Sequence, residues 1–132
     1  MRQYIIASHG SFSEGIMDSV GMIMGHVQNV TCLTVVPGDS QETVVGKIEE
    51  LLQSKEENSE VVVLTDVFGG SVTNHFFPYM QTHNIHVITG VNLPLALEIL
   101  VSDENDELQS VILEAIERGR EGMKYLNQIA GS

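Results

Sequence analysis

The sequence has no tryptophan, one cysteine, three prolines and six lysines and arginines together, and no apolar run approaches the length of a membrane span. Each shortage excludes something. Cys32 has no partner for an internal disulfide, and its place in the run Val30-Thr31-Cys32-Leu33-Thr34-Val35-Val36 reads as a small buried hydrophobe. Six basic residues against 18 acidic ones give a formal net charge of -12, a field that repels nucleic acid backbones and anionic membranes, so no nucleic acid partner is expected. The apolar stretch near the N-terminus is too short for a secretion signal, and a cytoplasmic protein is expected. There is no internal repeat, low-complexity tract or linker-like composition, so residues 1–132 are expected to form one domain, with 42% hydrophobic residues to fill one core.

Four short apolar runs, most rich in β-branched residues, read as buried strands: Tyr4 to Ala7, Val30 to Val36, Val61 to Leu64 and Ile85 to Ile88. Helical spacing fills the intervals. Ile16, Val20, Ile23, Met24 and Val27 mark a first helix, and Val44, Val45, Ile48, Leu51 and Leu52 a second. Asp39 with Glu42 forms an N-cap signature for the second, and Ser54 to Glu60 reads as a loop. Pro78 kinks or shortens a third helix, and Pro94 suits the first turn of a fourth. Glu107 to Ile129 holds one or two helices, with a break near Arg118-Gly119. Repeated βα units predict an α/β, doubly wound, mainly parallel sheet with helices on both faces, and the order is taken to be 2-1-3-4. The order leaves room for an additional C-terminal edge strand.

In such sheets reactive groups gather beyond the carboxyl ends of the strands, where the strand order reverses. Three passages lead there: Ser8-His9-Gly10-Ser11 after the first strand, Asp66-Val67-Phe68-Gly69-Gly70-Ser71 after the third, and Gly90-Val91-Asn92-Leu93-Pro94 after the fourth. With the first and third strands about 4.8 Å apart, His9 and Asp66 can pair. A carboxylate on one imidazole nitrogen fixes the tautomer and leaves the other nitrogen as a nucleophile, which suits phosphoryl transfer onto histidine. Backbone N–H groups of a glycine-rich turn can hold an anionic group without lysine or arginine. Gly10, Gly69, Gly70 and Ser71 are the phosphoryl-binding candidates, and Ser71 is also a plausible N-cap. Asp66 has a plainer alternative role as a turn cap.

These three passages, with the later Glu117-Arg118-Gly119-Arg120-Glu121-Gly122 run, resemble the IIA domains of the mannose/fructose/sorbose family of the sugar phosphotransferase system. The resemblance extends over nearly the whole chain. It implies a histidine, here His9, that accepts a phosphoryl group on Nε2 from the phosphocarrier protein HPr and passes it to a IIB component serving membrane IIC and IID partners. Asp66 matches an aspartate on Nδ1, and Ser71 a serine near the phosphoryl oxygens. Phe68 stands where some relatives have tryptophan, and Val72 where relatives often have proline. The resemblance also implies a homodimer, formed in some members by exchange of a C-terminal strand, and a reaction without metal or organic cofactor.

Other residues invite blander readings. His75, His83 and His86 lack metal-ligand spacing and read as structural. His26 suits the negative pole of the first helix. Met17, Met22, Met24, Met80 and Met123 read as core or interface filler. The acidic run Asp103 to Glu107 reads as a solvated loop. Gly69-Gly70-Ser71 is neither a Walker A loop nor a dinucleotide fingerprint, and no Gly-x-Ser-x-Gly elbow is present. Two competing functions use the same rim: a non-covalent small-ligand module, and a regulatory domain phosphorylated to signal.

Overall fold

The computed structural model describes residues 1–81 and 84–131; His83 therefore lies outside the described residues. Four strands, β1 (Arg2–His9), β2 (Val30–Val35), β3 (Glu60–Thr65) and β4 (Ile85–Thr89), form one parallel sheet in the order β2-β1-β3-β4. The helices are α1 (Phe12–Met24), α2 (Gln41–Gln53), α3 (Ser71–Asn74), α4 (Leu93–Val101), α5 (Leu108–Glu121) and α6 (Leu126–Ala130), with a 3-10 turn at Phe77–Tyr79.

The central strands are apolar on both sides because both faces of the sheet are covered. Tyr4, Ile6, Val62 and Leu64 point to one face and pack with Val20 of α1, Leu95, Ala96 and Ile99 of α4 and Ala115 of α5. Their neighbours Ile5, Ala7, Val61 and Val63 point to the other and meet Val44, Ile48 and Leu52 of α2 with Val72 and Phe76. The two-residue period of the strand thus divides one sequence between two cores. Since α1, which follows β1, and α3, which follows β3, lie on opposite faces, the chain leaves these two strands in opposite directions. The gap between these two central strands is the switch point at the carboxyl edge.

Several local expectations are corrected. The cap of α2 is Ser40, whose Oγ accepts from Thr43 N–H at 3.1 Å. Asp39 is one residue too early and instead accepts from Val36 N–H and Lys47, bonds that hold its carboxyl below the usual range. Ser71 does not cap α3 but begins it, after Gly70. Pro78 stands in the separate 3-10 turn beyond α3. Ile23 is 60% exposed rather than core; Met22, Met80 and Met123 are exposed, which removes the core half of their reading and leaves the interface half. Cys32 is only half-buried; desolvation and the nearby Glu14 carboxylate push its thiol up, against a bond with Ser13 that lowers it.

α5 runs through Gly119, and the break falls after Glu121. No C-terminal edge strand forms among the described residues: Leu126–Ala130 is a helix, and every residue from Arg120 to Gly131 is exposed. Gly119 has a packing reason, because a Cβ there would lie 3.1 Å from Asn92 Oδ1 and 3.2 Å from Leu95 Cβ. Asn92 caps α4 by accepting from Leu95 N–H and donates to the Gly119 carbonyl, so the Gly90 to Pro94 passage and the late glycine meet in one α4–α5 joint.

Candidate functional site

His9 is the last residue of β1, and Asp66 follows the last residue of β3. The register sets Ala7 opposite Thr65, so two residues further along β1 the histidine faces the turn that begins with the aspartate. Asp66 Oδ2 accepts from the His9 backbone N–H at 2.8 Å and lies 2.9 Å from His9 Nδ1. Asp66 Oδ1 accepts from Val67 N–H at 2.9 Å. Both readings of Asp66 therefore hold at once: it caps its own turn with one oxygen and pairs with His9 through the other. Partial burial pushes this carboxyl up, but bonds from the His9 backbone and ring, the ring's charge and the Val67 N–H together hold it below the usual range.

A carboxylate only accepts, so Nδ1 carries the proton in the neutral ring, and Nε2 keeps its lone pair. The His9 side chain is 50% exposed against 11% for Asp66. The ring is thus anchored on its buried side and open on the other. Ser71 Oγ stands 3.5 Å from Nε2, too long for a strong bond in this state but close enough to reach a group added to that nitrogen.

The two turns around the ring are fixed in different ways. After β1, Gly10 adopts φ +61° and its N–H donates to the Val35 carbonyl. Buried Ser8 ties the same turn, its Oγ accepting from Ser13 N–H at 2.8 Å and donating to the Gly10 carbonyl at 3.1 Å. After β3, Gly69 takes φ +77°, a left-handed conformation that side chains disfavour. Gly70 comes close to the ring: a Cβ there would be 3.4 Å from His9 Cε1 and 3.3 Å from the Val67 carbonyl oxygen. The Gly70 N–H is engaged with Val67 O at 3.2 Å, so Gly70 contributes close approach rather than a free donor.

The six residues picked from the sequence, His9, Gly10, Asp66, Gly69, Gly70 and Ser71, therefore come together at one edge. Ser8 and Thr73 join them from behind. Nothing in their residue type announced this, because the burial of their hydroxyls is not written in the sequence. Phe68 is 81% exposed and Phe12 47%, giving the rim an apolar surround. His75 is half-buried, its Nδ1 lying 2.5 Å from the Ser71 carbonyl oxygen. His26 is exposed just beyond the end of α1. Among the described residues no three His, Cys, Asp or Glu side chains are grouped to hold a metal, and no helix is long and apolar enough to cross a membrane.

A family profile described as the fructose IIA component of the phosphotransferase system matches residues 3–116. The chain is 32% identical over 124 residues to the mannose-specific EIIAB component of Escherichia coli strain K12, which covers 92% of this chain and 38% of that protein. It thus spans about two fifths of the length of that relative. It is 31% identical over 113 residues to the fructose-specific EIIA component of Bacillus subtilis strain 168, covering 85% of this chain and 77% of that one. The solved phosphotransferase component EIIA from Streptococcus agalactiae superposes with a TM-score of 0.86 at 26% identity, covering 97% of this chain and 99% of that one.

Proposed function

Because the chain belongs to the IIA components of the mannose/fructose/sorbose family of the sugar phosphotransferase system, we propose that His9 is its phosphoryl carrier, loaded by HPr and unloaded onto a IIB component. The observation that carries this reading is the asymmetry of the ring, with Nδ1 at 2.9 Å from Asp66 Oδ2 and Nε2 turned toward Ser71 and solvent. In the loading step the Nε2 lone pair forms a bond to phosphorus as the bond between phosphorus and the donor atom of HPr breaks. Nδ1 keeps its proton, and the cationic ring is stabilised by Asp66. The donor atom leaves with the electron pair of the broken bond. Unloading reverses the roles, as a nucleophile of the IIB component takes the phosphoryl group and His9 returns to the neutral Nδ1–H form.

Transfer of this kind depends on positioning and charge stabilisation more than on acid–base chemistry. Ser71 supplies a hydroxyl donor to the phosphoryl oxygens. Gly10 and Gly69 shape the turns that present backbone N–H groups, and Gly70 lets the loop lie against the ring. No metal or organic cofactor enters the step. Residues 1–132 act as one IIA phosphocarrier domain in the cytoplasm, supplying phosphoryl groups to the IIB component that phosphorylates sugar entering through membrane IIC and IID components. The exposed apolar side chains of Met123, Tyr125, Leu126 and Ile129 favour a homodimer that covers them.

The test is intact-protein mass after incubation with phosphoenolpyruvate, enzyme I and HPr, followed by peptide mapping under conditions that preserve phosphohistidine. One acid-labile phosphoryl group on His9, absent from His9→Gln, is the expected result. No adduct with active upstream proteins would overturn the carrier reading in favour of non-covalent binding at the same rim.

A further inference from the structure

Behind the Asp66 turn lie three threonine hydroxyls that the chemistry above does not use. Thr65 ends β3 and is fully buried, Thr73 is the third residue of α3 and is 5% exposed, and Thr89 ends β4. Thr73 Oγ1 is 2.7 Å from the Val67 carbonyl oxygen, 2.8 Å from Thr65 Oγ1 and 3.5 Å from Thr89 Oγ1. Thr73 Oγ1 is the donor in both short contacts and has one proton for the two; the Val67 carbonyl oxygen, which only accepts and lies nearer, takes it. The Thr89 contact is weak at its length.

The residue held in this way is the one that holds Asp66. Val67 N–H donates to Asp66 Oδ1, and Asp66 Oδ2 accepts from both the backbone and the ring of His9. The other bonds on this turn are longer: Gly70 N–H donates to the same Val67 oxygen at 3.2 Å, and Asn74 Nδ2 to the Gly69 carbonyl at 3.4 Å. Val67 is 53% and Phe68 81% exposed, so side-chain packing does not anchor the two residues between Asp66 and the glycines. Hydrogen bonds must set the conformation, and the Thr73 hydroxyl makes the shortest of those to Val67.

We propose that Thr73 is a positioning residue for phosphoryl transfer: its buried hydroxyl fixes Val67, and through Val67 the carboxylate that orients His9. Thr73 touches neither His9 nor the phosphoryl group. It acts from the interior, at the point where β3, α3 and the Asp66 turn meet. The kinetic consequence rests on the reading of His9 as the carrier, whereas the orientation of the ring does not.

The experiment compares the wild-type chain with T73V, T73A and T73S, each labelled with 15N-histidine. Long-range 1H–15N spectra at alkaline pH read the His9 tautomer, thermal unfolding reads stability, and phosphoryl uptake from phospho-HPr reads function. The wild type and T73S are expected to hold the Nδ1–H tautomer, and T73V to show a mixture with uptake slowed about tenfold. If T73V does not fold, the T73A and T73S pair carries the same comparison, because they differ chiefly by the hydroxyl. A folded T73V with the wild-type tautomer, or T73S as altered as T73A, overturns the proposal. A chain that takes no phosphoryl group, yet whose tautomer follows the hydroxyl, overturns the carrier reading and supports the positioning role.

Discussion

The two ends of β1 carry similar polar pairs with opposite outcomes. At its start, Arg2 pairs with Glu60, the first residue of β3; at its end, His9 pairs with Asp66, just beyond the last residue of β3. Arg2 is 3% exposed and its donors are engaged by Glu60 Oε1 at 3.0 Å, by the Asp103 carbonyl at 3.1 Å and by the Asp106 carbonyl. His9 has one nitrogen anchored and the other open. The strands supply a carboxylate at both ends; what separates a structural clamp from a reactive centre is whether any bonding capacity remains. At the amino edge the turn of residues 103–106 closes over the cation. At the carboxyl edge the loops stop short of the second nitrogen.

Substitutions can break this contrast at either end. The largest effect is expected from His9→Gln, which should fold with the wild-type thermal transition and lose phosphoryl uptake altogether. Asp66→Ala should next slow uptake by roughly 100-fold, since the ring keeps its nucleophile but loses its orientation; near-normal uptake would remove Asp66 from the account. At the other end, Arg2→Ala should lower stability by about 2 kcal/mol, seen as a fall in Tm of about 8 °C, with unchanged uptake per folded molecule. A loss of uptake beyond the loss of folded protein would show that the two ends are coupled. Gly70→Ala should slow uptake a few-fold by pressing on the His9 ring and Val67, with a readable shift in the His9 ring signals.

The smallest effect is on acid stability. The folded Asp66 carboxyl titrates below its unfolded counterpart, so its stabilisation is complete above the usual aspartate value of about 4 and is lost as pH falls through the depressed folded value. Asp66→Asn should therefore be less stable than wild type near neutral pH, and the gap should narrow below about pH 4, as checked by denaturant unfolding across that range.

The sheet was readable because burial on both faces writes each central strand as an apolar run, and its parallel direction followed from the helical intervals between them; its order was supposed rather than read. The His9 and Asp66 pairing was readable because β-strand spacing converts two loop positions into neighbours. Chain ends and caps were less legible. Asp39 and Ser40 are adjacent cap formers, and only the Val36 and Lys47 partners of Asp39 decide between them. Ile23 is exposed while Ile16, Val20, Met24 and Val27 pack with the core, a difference the helical spacing does not encode. The C-terminal residues form a helix in the single chain, where family resemblance left room for an edge strand. Thr73 was invisible for a simpler reason: a threonine in a short helix looks like any other until the carbonyl it faces is known.

The central claim is that Asp66 holds Nδ1 and leaves Nε2 to take the phosphoryl group. Its most direct test is 15N and 31P spectroscopy of the phosphorylated, 15N-histidine-labelled chain. A phosphorus coupling to His9 Nε2, with Nδ1 still protonated, is the predicted result. A phosphoryl group on Nδ1, or on another residue with His9 unmodified, would contradict the account.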